Sequence, residues 1–101
     1  MPKECTDAKN KRKIPPARKI RETTRKMKLL SHPARLSILL ILKEGPTCVC
    51  VIKKTLGLPQ PTVSQHLAKL KDAGIIDCNP KGKYCYYQIK DHSIKPLTKL
   101  L

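Results

Sequence analysis

The reactive chemistry of this sequence is concentrated in its sulfur. Five cysteines occur, Cys5, Cys48, Cys50, Cys78 and Cys85. The number is odd, and the opening segment Met1 to Lys13 is polar and charged, without the apolar core of a signal peptide. A structural disulfide framework is therefore not expected, and metal binding, redox chemistry and packing share the thiols between them. Cys48 and Cys50 are the closest pair. Thr47 suits a helix N-cap, which puts both thiols in a first helical turn, where the helix N-terminus lowers a thiol pKa and favours the thiolate. Thiolates are soft ligands suited to soft, thiol-seeking metals. Against that stands packing, since free cysteine is commonly buried. Residues i and i+2 of a regular helix diverge by about 200°, so both sulfurs grip one ion only if that turn deforms.

A second set of side chains suits polyanion recognition. From Thr47 to Ala73 the sequence reads as a short helix, a turn at Gly57 to Pro59 and a second helix, which is a helix-turn-helix. In the second helix Val63, Leu67 and Leu70 recur at i, i+4 and i+7 and face the core. Projected at about 100° per residue, Pro61, Thr62, Gln65 and Lys69 point away from it, with Ser64 at the edge. Small uncharged groups near the start suit base edges, and the basic group further on suits phosphate. An ordinary solvated helix face would look similar, but the preceding helix, the tight turn and the charge of the chain favour DNA.

That charge is formal +15, from 22 Lys and Arg against 7 acidic residues in 101, and it implies a polyanionic partner. A membrane surface is disfavoured by the three Tyr and the absence of Trp and Phe. The longest apolar run, Ile38 to Leu42, is too short to span a bilayer. A cytoplasmic protein is expected.

Residues 1–14 read as a basic flexible arm and 15–101 as a single DNA-binding and dimerisation domain. Within the domain the spacing predicts a helix over Ala17 to Leu30. A second, apolar nearly all round, runs from about Pro33 to Glu44 and ends at Gly45-Pro46. After the helix-turn-helix the period changes to two. Ile76, Cys78, Cys85, Tyr87 and Ile89 share one face of a hairpin closed at Lys81-Gly82, with Lys81 and Lys83 at its tip. In that register Cys78 and Cys85 lie directly opposite, as core residues or as a redox disulfide. A last short helix carries Ile94, Leu97 and Leu101 on one side, expected at a dimer contact. The fold class is mainly α with a small β-hairpin: a winged helix-turn-helix of order αααα-ββ-α.

Across positions 25 to 92 these residues resemble the ArsR/SmtB family of winged-helix repressors. The resemblance rests on Leu30-Ser31-His32-Pro33-Ala34-Arg35-Leu36, Cys48-Val49-Cys50, Leu56-Gly57-Leu58-Pro59-Gln60-Pro61-Thr62-Val63-Ser64-Gln65-His66-Leu67, Ala73-Gly74-Ile75-Ile76 and Gly82-Lys83-Tyr84-Cys85-Tyr86-Tyr87. It implies a homodimer built on the first and last helices that binds a double-stranded DNA operator and leaves it when an inducer arrives. Gln60, Thr62, Ser64 and Gln65 match the family's base-reading positions, although Pro59 and Pro61 replace small polar residues there. His66 also matches, but it borders the core face and is expected to be packed and hydrogen-bonded. The resemblance further implies an inducer site at Cys48 and Cys50. Lys53 stands where a third thiolate of that helix would be, so Cys5 of the arm is the implied third ligand, reaching the partner subunit. Asp91 and His92 resemble the family's other metal site, but Ser93 replaces a ligand His and no zinc site is expected.

The leading expectation is a repressor with no constitutive cofactor, released by As(III) or Sb(III), or by Cd(II) or Pb(II). A thiol redox-sensing repressor and a constitutive architectural DNA binder are the alternatives. No acid/base pair, phosphate loop or activated nucleophile suggests an enzyme.

Overall fold

The computed structural model describes residues 12–100. Most of the basic arm, Cys5 with it, and Leu101 lie outside the described residues. Helix α1, Ala17–Leu30, opens behind Pro16, whose carbonyl accepts from Ile20 N–H at 3.1 Å. It turns its last residue, Leu30, into the core. Helix α2, Pro33–Leu42, is capped by His32, whose Nδ1 accepts from Ala34 N–H at 3.1 Å, and Pro33 takes the first turn, where a missing donor costs nothing. Ile38, Leu39 and Leu42 are buried, which makes α2 the central helix. It ends at Leu42, short of the expected boundary near Glu44.

The next element, strand β1 at Thr47–Cys48, departs from expectation. Thr47 is not the cap of the following helix; it lies in the strand. The N-cap of α3, Val49–Leu56, is Cys48, with extended backbone at φ −67° and ψ 143°. Gly57 ends α3 in the left-handed conformation at φ 65°, which glycine adopts without a side-chain clash. Helix α4, Gln60–Asp72, follows, with Val63, Leu67 and Leu70 buried. It closes in a Schellman arrangement, Ile75 N–H bonding to Leu70 O at 3.0 Å and Gly74 N–H to Lys71 O at 2.9 Å.

Strands β2, Ile76–Lys81, and β3, Tyr84–Ile89, form the wing, and β1 pairs with the outer side of β3 to give the order β1-β3-β2. The turn is Gly82-Lys83, not Lys81-Gly82: Gly82 has φ 60°, as the first central residue of a two-residue hairpin turn requires. The register therefore moves by two residues, so Cys78 stands opposite Tyr87 and Cys85 opposite Pro80. A shift of two preserves faces. Ile76 is accordingly buried, with Tyr87 and Ile89 packed on the core as expected. Cys78 and Cys85 are diagonal rather than opposite, half-buried and outside the core, and a disulfide joins them across a Cα separation of 6.0 Å.

After β3 a single 3-10 turn, His92–Ile94, leads into α5, Lys95–Thr98. Ile94, expected at a dimer contact, is buried in the core of its own domain with Leu97 against it. The core thus joins α2, α3, α4, β2 and the final turn through Ile38, Leu39, Ile52, Leu67, Ile76 and Ile94.

Candidate functional site

Two candidate surfaces meet at α3. The first is the outer side of α4 with the wing. Burial of Val63, Leu67 and Leu70 leaves Gln60, Ser64, Gln65 and Lys69 exposed and Thr62 half-buried. Pro59 and Pro61 sit at the entrance of the helix, where proline preserves the helical backbone but leaves no side-chain cap. Lys81 and Lys83 are exposed on the wing, and Lys81 Nζ lies 5.7 Å from the centre of the Tyr86 ring. His66 does not share this exposed face. It is half-buried, its Nδ1 accepts from Arg35 Nε at 3.2 Å, and its ring lies 4.5 Å from that of His32. Burial first, then the charges of His32, Arg35 and Lys69, hold its pKa below the ordinary histidine value.

The second surface is the Cys48–Cys50 doublet. Cys48 is buried and Cys50 exposed. Because Cys48 caps the helix from outside it, its Sγ turns back and accepts from Cys50 N–H at 3.3 Å. Hydrogen bonding between the two side chains also sets their pKa values apart. It lowers the Cys48 pKa and raises that of Cys50, so the pair holds its first negative charge on Cys48. The expected divergence of about 200° between the two sulfurs applies to two residues within one helix, and Cys48 is not in one. The Cys48 sulfur reaches the first turn of α3 at the Cys50 N–H without deforming the helix. Among the described residues no group of three or more His, Cys, Asp or Glu is arranged to hold a metal ion; Cys5 is not among them. Asp91 is engaged elsewhere: it receives Lys26 Nζ at 2.5 Å and Ser93 N–H at 3.0 Å.

Two cations of α3 belong to this region as well, and the helix-turn-helix pattern assigns neither a part in DNA binding. Lys53 and Lys54 are exposed and, with Cys50, Lys83 and Cys85, line a cavity of about 550 Å³ between α3, the start of α4 and the wing. Their signal was present in the i+3 and i+4 spacing from Cys50, which places three side chains on one helix face.

A helix-turn-helix with a three-stranded wing is one architecture among DNA-binding proteins, so comparison with known proteins decides the family. The family model described as bacterial regulatory protein, arsR family, matches residues 32–77. The uncharacterized HTH-type transcriptional regulator MJ1325 of Methanocaldococcus jannaschii is 44% identical over 75 residues, which cover 73% of this chain and 84% of that protein. This chain belongs to the ArsR family. The arsenical resistance operon repressor of Escherichia coli is 38% identical to this ArsR-family chain over 66 residues, 64% of this chain and 56% of that one. Among solved structures, the homodimeric winged helix-turn-helix DNA-binding domain of Mycobacterium bovis Mb0332 superposes with a TM-score of 0.73 at 30% identity, over 83% of this chain and 78% of that one. The ArsR-family chain is thus a DNA-binding transcriptional regulator of the ArsR/SmtB repressor type, with a winged helix-turn-helix fold. Among the described residues no helix is long and apolar enough to cross a membrane.

Proposed function

We propose that this ArsR-family protein is a homodimeric repressor that leaves its operator when a soft, thiol-seeking inducer, As(III) or Sb(III) before Cd(II) or Pb(II), binds Cys48 and Cys50, with Cys5 of the arm as the third sulfur carried by the resemblance. The observation that carries the reading is the buried Cys48 sulfur turned onto the Cys50 N–H at the N-terminus of α3, with a lowered pKa. The arsenical repressor among its relatives supports the inducer class, and three sulfurs suit a trigonal metalloid better than a tetrahedral ion. Gln60, Thr62, Ser64 and Gln65 read base edges, and Lys69, Lys81 and Lys83 hold phosphates. Exposed apolar side chains on α1, Ile20 and Met27, support pairing of two copies there.

Cys48 belongs both to the cap of α3 and to the strand that pairs with the wing. An ion drawn onto its sulfur acts on both parts of the DNA-reading surface at once, so release requires no strained helical turn. Arsenite is expected to abolish operator binding. Cys48→Ser and Cys50→Ser should each remove that response while leaving binding intact; induction retained in either variant sinks the site assignment.

The disulfide between Cys78 and Cys85 favours a second reading, a repressor that senses oxidation through its wing. Loss of two hydrogens after mild peroxide, by mass spectrometry, with a matching change in operator affinity and no metal present, would select it. An architectural DNA binder would respond to neither.

A further inference from the structure

The cavity of about 550 Å³ between α3, the start of α4 and the wing is lined by three cations, Lys53, Lys54 and Lys83, and by no acidic side chain. All three lysines are exposed, and none takes part in the ion pair found among the described residues, which joins Lys26 to Asp91. Ammonium groups left unneutralised around one concavity repel one another, and an anion placed between them relieves that repulsion. Gln60 and Tyr84 also line the cavity, the first residue of α4 and the first of β3. Its mouth therefore lies between the two elements of the DNA-reading surface. The volume accommodates a phosphodiester with its neighbouring sugars, and the ring of Tyr84, 54% exposed, offers an apolar face to deoxyribose. Cys50 is exposed on the same wall, one helical turn before Lys53 and Lys54.

We propose that Lys53, Lys54 and Lys83 seat a phosphate of the DNA backbone in this cavity, so that the first helix of the helix-turn-helix grips DNA as well as supporting the second, and that Cys50 stands beside that phosphate. The inference deepens the reading of α4 and the wing as the DNA surface and rests on it.

DNA is the occupant rather than a free anion, because the duplex engaged by α4 and the wing brings its own phosphates to the mouth of the cavity, whereas three solvent-exposed lysines hold a lone inorganic ion weakly. Lysine suits the task as a point charge that follows a phosphate without fixing its orientation. The place of Cys50 gives its thiol a direct route to the DNA. A group attached to that sulfur stands against the seated phosphate, so release follows from competition at the seat without movement of α3.

The test uses the full-length protein and a fluorescently labelled random-sequence duplex, since a phosphate contact carries no sequence information. Lys53→Ala combined with Lys54→Ala should keep its circular dichroism, alanine being the strongest helix former. It should bind the duplex roughly tenfold more weakly and lose about 0.9 from the log-log salt slope for the phosphate released. Lys53→Arg combined with Lys54→Arg should keep the slope. Lys43→Ala combined with Lys90→Ala removes the same charge from a different part of the surface and should leave the slope at the parental value. Cys50→Glu should bind more weakly than Cys50→Gln, which matches it in size without the charge. Sodium phosphate should displace the duplex no better than sodium chloride at equal ionic strength. A parental slope in the Lys53 and Lys54 alanine variant overturns the inference; if Lys83→Ala still lowers the slope, the DNA-reading surface stands without α3, and if neither does, both fall. An equal loss of slope in the Lys43 and Lys90 variant overturns it as an effect of net charge, and equal binding by the two Cys50 variants overturns the place given to that residue. Preferential displacement by phosphate overturns it in favour of a free anion.

Discussion

Lys26 and Asp91 form an ion pair of 2.5 Å that ties α1 to the segment leaving the wing, 65 residues further along the chain. Lys26, with help from Ser93, holds the Asp91 carboxyl at about 2. The native pKa lies below the unfolded one, so the pair contributes stability above the ordinary carboxylate range and loses it as pH falls towards 2. With Lys26 partly exposed to solvent, screening leaves about 1 kcal/mol of the shift as stability. Asp91→Asn should lower stability by that amount at neutral pH, and the difference from the parent should shrink between pH 4 and pH 2 in denaturant titrations. A Lys26→Met double-mutant cycle checks that the two residues act on each other.

His66 gives a transition of the same sign at higher pH. Its pKa is lowered by burial and by the surrounding charges of His32, Arg35 and Lys69, so the folded state resists the proton that the unfolded chain accepts. Stability present above the ordinary histidine range is lost as pH falls through it and below. Protonation also removes the acceptor at Nδ1 that receives Arg35. We expect thermal stability to decline from pH 7 to pH 5 in the parent and to stay flatter in His66→Asn, whose amide oxygen can still accept. NMR titration of the His66 ring supplies an independent check.

The helices and their inward faces were legible because their periodicity is dictated by burial, as Val63, Leu67 and Leu70 illustrate. What the sequence concealed is where the chain changes from one period to another. Thr47 is a good cap by composition, yet ladder pairing with Tyr87 takes it into a strand, and the cap passes to Cys48. Gly82 could occupy either central position of a two-residue turn; choosing the first moved every wing pair by two while leaving the faces unchanged. This is why Cys78 and Cys85 were assigned to the right face with the wrong partners. The cavity shared by Cys50 and Cys85 depends on tertiary packing between α3 and β3, for which no local pattern exists.

The same disulfide makes a measurable contribution to the wing. It closes a loop of sequence separation 7, and loop-closure entropy for so short a loop gives about 2 kcal/mol. Reduction with a phosphine should lower the midpoint of thermal unfolding by several degrees, and Cys78→Ser should abolish that sensitivity to reductant. An unchanged midpoint would show that the crosslink does not restrain the unfolded chain.

The exposed lysines of the wing and the polar side chains of α4 should separate by their effect on specificity. Lys81→Ala and Lys83→Ala are expected to weaken binding to operator and random duplex alike. Each should reduce the log-log salt slope by about 0.9 for every phosphate contact removed. Gln65→Ala should instead relax sequence preference, by about 1–3 kcal/mol at one base pair, with little change in slope. Fluorescence anisotropy against two duplexes at several salt concentrations distinguishes these outcomes. A uniform loss in Gln65→Ala would assign that residue to the backbone.

On α1, Ile20 and Met27 are spaced seven apart, so they share one face two turns apart, and they are 40% and 52% exposed. Lone exposed apolar side chains are common, but two on one stripe of an otherwise basic helix leave a seam that water covers poorly. The helix fold itself does not depend on either side chain, since Leu30 and Leu29 pack α1 against the core and Lys26 pairs with Asp91. Ile20→Glu combined with Met27→Glu should therefore leave far-ultraviolet circular dichroism unchanged while shifting sedimentation from dimer to monomer. Operator affinity should fall with it, because each half of a palindrome then binds independently and the benefit of linkage is lost. A variant that remains dimeric places the subunit contact elsewhere.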